Sequence, residues 1–201
     1  MLHTLLDPIV LLTTFGYLGL IVIILIESGL PIGFFFPGDS LLISAGILAS
    51  QAHMNIFLII LFCIVAAIIG YGFGYYFGKK VGVRLFDKPD SSIFSRSRLH
   101  KAHIFFEKYG AQSIIFARFI PVARTFAPII AGTSEMSYKK FTVYNVIGGI
   151  LWGTIVPLLG LLVGRTIPHI DEYLLPIIIV IILTSLIPTA WHLVKQRIKR
   201  S

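Results

Sequence analysis

The sequence predicts an all-α polytopic membrane protein, in which two re-entrant helical hairpins form an inverted repeat beside about four transmembrane helices. Three observations support this class: a composition of 56% hydrophobic and only 13% charged residues with a mean hydropathy of +0.90, apolar blocks of spanning length, and prolines that interrupt two of these blocks. Soluble domains carry about 25% charged residues, so a soluble protein is excluded. We expect residues 1–201 to form a single membrane domain.

Six apolar blocks approach the roughly 20 residues that a helix needs to cross a hydrocarbon core about 30 Å thick. Two of them, 27–50 and 110–133, contain charges and paired prolines. Each proline removes an amide donor and clashes with the preceding turn, so we predict that these two blocks are re-entrant hairpins. The blocks without Asp, Glu, Lys or Arg are the predicted spans: 8–26, 54–78, 141–164 and 173–194.

The basic residues test this count of crossings. All 17 Lys and Arg residues lie at or beyond Lys79, and most fall in the loop 79–109 or in the tail of the segment 173–201. The positive-inside rule places the loop and the tail in the cytoplasm, which requires the hairpin 110–133 to return to its own side. No basic residue precedes Lys79, so the N-terminus is placed inside only by analogy between the halves.

Part of the basic loop has the pattern of an interfacial amphipathic helix. In residues 95–109, the apolar side chains of Leu99, Ala102, Phe106 and Tyr109 share one face, and most of the basic side chains lie elsewhere. A solvated basic loop is the alternative.

Four charges within the hairpins indicate a function. Glu27 and Asp39 lie in the first hairpin, Arg118 and Arg124 in the second, and their formal charges sum to zero. An ionised residue costs about 2.5–3.5 kcal/mol at the centre of a membrane helix, so we expect the four to form one neutral cluster where the hairpin tips meet. Interrupted helices of inverted repeats commonly form transport sites in this way. A structural ion-pair network, or snorkelling of Arg118, is the alternative.

Two stretches carry a family resemblance. Residues 27–42 read ESGLPIGFFFPGDSLL, and residues 116–132 read FARFIPVARTFAPIIAG. In the order of their acids, arginines, Pro-Gly turn and closing Ala-Gly, they resemble the DedA family, whose core is also called the VTT or SNARE-associated domain. The resemblance implies a multi-pass protein of the bacterial inner membrane that depends on the proton-motive force. It also implies translocation of a lipid phosphate, undecaprenyl phosphate in bacterial members, whereas eukaryotic relatives scramble phospholipids.

The resemblance also implies roles for individual residues. The family's essential acids correspond to Glu27 and Asp39, where many relatives have Glu at the second position, and its essential arginines correspond to Arg118 and Arg124. Guanidinium groups bind phosphate bidentately, so we expect the arginines to bind the substrate. Protonation of the acids would release them, which couples protons to transport. The residues expected to shape the hairpins are Pro31, Pro37, Gly38, Pro121, Pro128 and Gly132.

We therefore expect a proton-coupled lipid flippase that is not an enzyme and needs no cofactor. Its expected partners are an anionic lipid phosphate, protons and membrane lipids, and no nucleic acid. The sequence leaves open whether the protein forms a homo-oligomer. The alternatives are an energy-independent scramblase or a proton/cation antiporter. A lipid phosphatase is less favoured, because Ser40 and Thr125 have no base in their sequence context. No metal site is expected, since His100 and His103 lack further ligands nearby.

Small and aromatic residues in the spans are predicted to serve packing. Glycines recur every fourth residue at 70, 74 and 78, at 149 and 153, and at 160 and 164, a spacing that lets helices approach closely in lipid. Trp152 and Trp191 are interpreted as packing or interface anchors. The single cysteine, Cys63, excludes an intramolecular disulfide.

Overall fold

The structure is a computed structural model that describes residues 8–30, 38–86, 109–134 and 136–166, without the side chains of 8–14, 81–86 and 121–122. The described residues form helices and turns and contain no strand. The predicted all-helical class is therefore confirmed. The helices are α1 (Pro8–Gly29), α2 (Gly38–Ser50), α3 (Ile56–Phe86), α4 (Ser113–Ala117), α5 (Pro121–Thr133) and α6 (Tyr138–Thr166), and a 3-10 turn (Gly110–Gln112) precedes α4.

Two helices, α3 and α6, are long and apolar enough to cross a membrane. They contain 31 and 29 residues, which at 1.5 Å per residue makes each more than about 40 Å long. They contain most of the predicted spans 54–78 and 141–164, but α3 continues to Phe86, into the segment 79–109 that the sequence predicts to be a loop. The predicted span 173–194, the basic tail and most of the amphipathic segment 95–109 lie outside the described residues.

The first helix differs from its predicted bounds. α1 continues without a break from block 8–26 into block 27–50, and its interruption lies instead at Gly16, where φ is 53° and ψ is −137°. Side chains disfavour this left-handed conformation, whereas glycine adopts it readily. The part of α1 that follows Gly16 therefore belongs with α2 as the first arm of a helical hairpin, and the hairpin begins earlier than residue 27.

This first hairpin opens toward the N-terminal end of α3. The Tyr17 hydroxyl accepts a hydrogen bond of 2.8 Å from the backbone N–H of Asn55, just before α3 begins. Farther along, α1 and α3 are so close that a Cβ on Gly29 would lie 2.9 Å from the carbonyl oxygen of Gly70. The first arm therefore runs parallel to α3, and α2 returns to the turn that leads into α3.

The second hairpin, α4 and α5, opens toward the opposite end of α3. Ile120 is extended, with φ −113° and ψ 112°, and Pro121 begins α5, a helical position where the missing N–H costs nothing. Pro128 packs beside Gly74, and Gly132 lies against the backbone of Tyr75. α5 thus runs parallel to α3, and its first turn lies near the middle of the bundle.

Each hairpin packs its second arm on the long helix of the other half of the chain. α2 packs most extensively on α6, and α5 on α3. Glycines form both contacts: Gly46 and Gly160 join α2 to α6, and Gly78 and Gly132 join α5 to α3. The packing role predicted for the glycine stripes is confirmed, because the glycines at 70, 74, 78, 149, 153, 160 and 164 all lie within contact distance of a neighbouring element.

We predict that Gly78→Ala destabilises the protein, although alanine is intrinsically better than glycine in a helix by about 1 kcal/mol. Its Cβ would overlap the backbone of Ile129, and overpacking of this kind costs about 1–3 kcal/mol. Gly72→Ala is the matched control, since no atom lies within 4 Å of a Cβ at that position of the same helix. Thermal unfolding in detergent should show a lower midpoint for Gly78→Ala only; equal midpoints would contradict the close packing of α3 and α5.

Candidate functional site

Arg124, in the first turns of α5, joins both arms of the other hairpin. One terminal nitrogen, Nη2, donates to Glu27 Oε1 near the end of α1. The other, Nη1, donates to Asp39 Oδ1 at the start of α2 over 2.6 Å. Only 3% of the arginine side chain is exposed, so these charge-assisted bonds are shielded from solvent and tie the two hairpins together.

Trp152 of α6 completes this cluster. Its indole Nε1 donates a 3.1 Å hydrogen bond to Asp39 Oδ1, and its ring lies 5.0 Å from the guanidinium carbon of Arg124. The ring therefore makes a cation–π contact with the arginine while its N–H holds the aspartate. The Asp39 side chain is 30% exposed, which makes it the accessible edge of an otherwise buried cluster.

The helix termini explain why these charges need one another. Glu27 lies near the C-terminal end of α1 and Arg124 near the N-terminal end of α5, so each faces the unfavourable end of its own helix dipole. Their pairing offsets both penalties. Gly38, the first residue of α2, leaves room for this contact, because a Cβ there would overlap the Glu27 carboxylate.

Arg118 occupies a separate pocket without a carboxylate. It caps the C-terminus of α4, the favourable dipole end for a cation, and only 1% of the residue is exposed. Its guanidinium carbon lies 3.7 Å from the ring centroid of Tyr71. Nη2 donates to the carbonyl oxygen of Ala67 over 3.3 Å and to the side-chain oxygen of Asn145. Within the described ranges, Arg118 makes no ion pair with an acid.

Asn145 fixes this pocket between α3 and α6. Its Oδ1 accepts from Arg118, and its Nδ2 donates over 3.0 Å to the carbonyl oxygen of Ile68. Gly148, one turn later on α6, provides the space, since a Cβ there would lie 3.0 Å from Cδ of Arg118. A neutral amide thus orients a buried cation without neutralising it.

Several buried polar atoms of the site have no hydrogen-bond partner in the described part of the chain. They are Glu27 Oε2, the Tyr71 hydroxyl, Nε and Nη1 of Arg118 and Nε of Arg124. A buried polar group without a partner costs about 1–3 kcal/mol. The site therefore offers three guanidinium nitrogens as N–H donors, a hydroxyl and a carboxylate oxygen to a ligand or to protons.

The structure brings together three of the four predicted charges, not all four. Glu27, Asp39 and Arg124 form one cluster with a formal charge of −1 when all are ionised, and Arg118 stands apart with +1. The expectation of a single ion-paired cluster is corrected in this respect. Arg118 instead contacts a carbonyl, an amide and an aromatic face, which partly replace a counterion.

The predicted hairpin-shaping residues lie where the arms begin or pack. Gly38 and Pro121 begin α2 and α5. Pro128 lies within α5, where its missing N–H leaves the carbonyl of Arg124 without its helical partner. Gly132 packs on α3. Pro31 and Pro37 lie outside the described residues.

Three residues of the site escaped the sequence analysis. Trp152, interpreted there as a packing or interface anchor, contacts both Asp39 and Arg124. Asn145 and Tyr71, which hold Arg118, were not singled out. A signal existed for Asn145, the one amide side chain in the apolar block 141–164, because a polar residue within a membrane segment marks a functional site by default.

Metal ligands do not converge in the part of the chain that the structure describes: no group of three His, Cys, Asp or Glu side chains could hold an ion there. His53 is exposed in the turn between α2 and α3, and His100 and His103 lie outside the described residues. Cys63 is buried with a free thiol.

Comparison with known proteins decides the family. The model of the VTT domain matches residues 36–162, which include three of the four charges, all of α3 and most of α6. The chain belongs to the DedA family. Protein DedA of Escherichia coli K12 is 42% identical over 183 residues, which cover 90% of this chain and 83% of that protein.

Other relatives of this DedA-family chain carry names that refer to the membrane. An uncharacterized membrane protein of Mycobacterium leprae is 40% identical over 86% of this chain and 78% of its own length. Inner membrane protein YqjA of Escherichia coli K12 is 35% identical over 75% of this chain and 68% of its own length. No solved structure gave a significant match. These names, with the two helices of spanning length, identify an integral membrane protein.

We predict that removing Arg124 is strongly destabilising and that neutralising an acid offsets the loss. Arg124→Met leaves the buried Glu27 carboxylate unpaired, which costs about 3–5 kcal/mol, and adding Glu27→Gln removes that charge. Thermal unfolding of the two single variants and of the double variant measures the energetic coupling between Arg124 and Glu27.

The control uses the second arginine in the same cycle. Because Arg118 does not contact Glu27, Glu27→Gln should not rescue Arg118→Met. Equal rescue of both arginine variants would contradict the separation of the two sites.

Proposed function

We propose that this protein is a proton-coupled translocase of a lipid phosphate in the bacterial inner membrane, with undecaprenyl phosphate, recycled for cell-envelope synthesis, as its substrate. One observation carries the proposal: in the described part of the chain, the buried Arg118 has no carboxylate partner, whereas two carboxylates hold the buried Arg124. Arg118 can bind an anion at any time, whereas Arg124 can do so only when the two acids release it.

Arg118 is the primary phosphate ligand in this proposal. Its Nε and Nη1 have no hydrogen-bond partner in the described ranges, so this guanidinium has N–H donors free for the oxygens of a phosphate monoester. The Tyr71 hydroxyl, also without a partner in the described ranges, is a further donor in the same pocket. Asn145 keeps the fork oriented without supplying a competing charge.

Arg124 and the two acids couple the phosphate to protons. The excess negative charge of the cluster opposes an anion, and protonation of Glu27 removes it. Protonation also frees Nη2 of Arg124 for the substrate. Glu27 is the deeper acid, with one carboxylate oxygen lacking a partner, whereas Asp39 stays held by Arg124 and Trp152. Binding of protons and of phosphate then becomes mutually favourable.

The hairpins give this site access to both membrane faces. α2 and α5 contain 13 residues each, about 20 Å of helix and less than the hydrocarbon thickness of about 30 Å, which supports re-entrant hairpins that enter from opposite sides. With the basic end of α3 and the C-terminus in the cytoplasm, the first hairpin enters from outside and the second from inside.

Reconstitution separates the proposal from the other functions that the sequence leaves open. Purified protein in vesicles containing undecaprenyl phosphate is subjected to a pH gradient, and a membrane-impermeant phosphatase measures the exposed headgroups. Acid outside should drive net inward movement. Movement that ignores the gradient indicates a scramblase, cation flux without lipid movement an antiporter, and phosphate release without added phosphatase an enzyme; each would overturn the proposal.

We predict that Asn145→Asp abolishes transport while the fold is kept. The new carboxylate would form an ion pair with Nη2 of Arg118, which neutralises the positive charge that attracts the phosphate. Transport should fall at least about tenfold, since 1.4 kcal/mol of competition already has that effect. Aspartate loses the hydrogen bond to the Ile68 carbonyl, but the new ion pair with Arg118 offsets this loss, so the variant should still fold.

Asn55→Asp is the matched control for this experiment. Asn55 caps α3 by accepting the backbone N–H of Phe57 over 2.9 Å, and aspartate caps helices equally well. This variant should transport like wild type. If Asn145→Asp also transports normally, Arg118 is not the phosphate ligand.

A further inference from the structure

A groove of about 630 Å³ lies between the end of α1 and one face of α3. The α3 side chains Phe73, Tyr76, Phe77 and Lys80 line it, at positions that share one helix face. Leu25 and other residues near the end of α1 form the opposite wall. The lining is apolar and aromatic except for the ammonium group of Lys80 at one end.

The groove lies where α3 continues past the end of α1. α1 ends at Gly29, where its backbone touches α3 at Gly70, whereas α3 continues to Phe86. From Phe73 to Lys80 the uncovered face is about 10 Å long, which is most of one leaflet's half of a hydrocarbon core about 30 Å thick.

We propose that this groove binds one anionic phospholipid of the leaflet on the side of Lys80, with a chain against the aromatic face and the phosphate at the ammonium group. Basic pockets between transmembrane helices bind anionic headgroups in this way. Tyr76 lies half-exposed one turn before Lys80, at the interfacial level where amphipathic aromatic rings accumulate.

The groove lies near the charged site, but binding of a phospholipid in it does not depend on the transported substrate. Its upper end at Gly29 is two residues from Glu27. A lipid held there would lie beside the first hairpin, with its headgroup at Lys80, six residues before the end of α3, and Arg118 is not among the lining residues. Binding is therefore expected even in variants that do not transport.

Lys79 provides a matched control for the headgroup contact. Both lysines are exposed at the same end of α3, but only Lys80 lines the groove, and the backbone of Lys79 faces Gly132 of α5. Native mass spectrometry of the full-length protein with phosphatidylglycerol or phosphatidylcholine of identical chains compares Lys80→Gln with Lys79→Gln. We expect Lys80→Gln to weaken phosphatidylglycerol binding about fivefold and Lys79→Gln to leave it unchanged.

A second pair of variants tests the groove itself. Leu25→Trp would fill it, whereas Val22→Trp places the same ring on an exposed part of α1 outside the lining. Leu25→Trp should reduce binding of both lipids, and Val22→Trp of neither. Equal effects of the two lysine variants would mean diffuse charge attraction. Unchanged binding in Leu25→Trp would mean that the groove holds no lipid. Either result would overturn the proposal.

Discussion

The pairing of one buried guanidinium with two carboxylates is the constraint on which the rest of this structure depends. Arg124 contacts Glu27 on one arm of the first hairpin and Asp39 on the other, so a single side chain fixes three helix ends. Each ion would be costly in an apolar bundle by itself. The cluster can form only if the two hairpin tips meet, and that requirement places the tips in register.

Each hairpin packs on the long helix of the other half of the chain, and this packing allows the charged residues of the two hairpins to meet. Because α2 packs on α6 and α5 on α3, both short arms are supported along a full-length helix of the other half. Glycines at 46, 78, 132 and 160 bring the backbones together, so the positions of the tips are set by close van der Waals contact. The packing of the helices therefore determines where the charges meet. Trp152 and Asn145 contact them from the same helix, α6.

The sequence indicated which charged residues form the site, but not that Arg118 is separate from the other three. Charge and proline content predicted that the apolar blocks 27–50 and 110–133 are interrupted, and the cost of buried charge predicted that Glu27 and Asp39 would meet an arginine. The isolation of Arg118 was not predictable, because its partners are the Ala67 carbonyl and Asn145, which lie far away in the chain. The kink was missed for a different reason: Gly16 stands in a continuous apolar run, and only its positive φ reveals the boundary.

Proton uptake on ligand binding tests the central claim, that phosphate and the Glu27 carboxylate compete for Arg124. Purified protein in weakly buffered detergent near neutral pH is titrated with undecaprenyl phosphate, and the protons taken up per bound lipid are recorded for wild type and for Glu27→Gln at equal occupancy. The account predicts net uptake by wild type, and a smaller value for the variant, whose side chain is already neutral and unable to compete. Identical proton counts in the two proteins would contradict it.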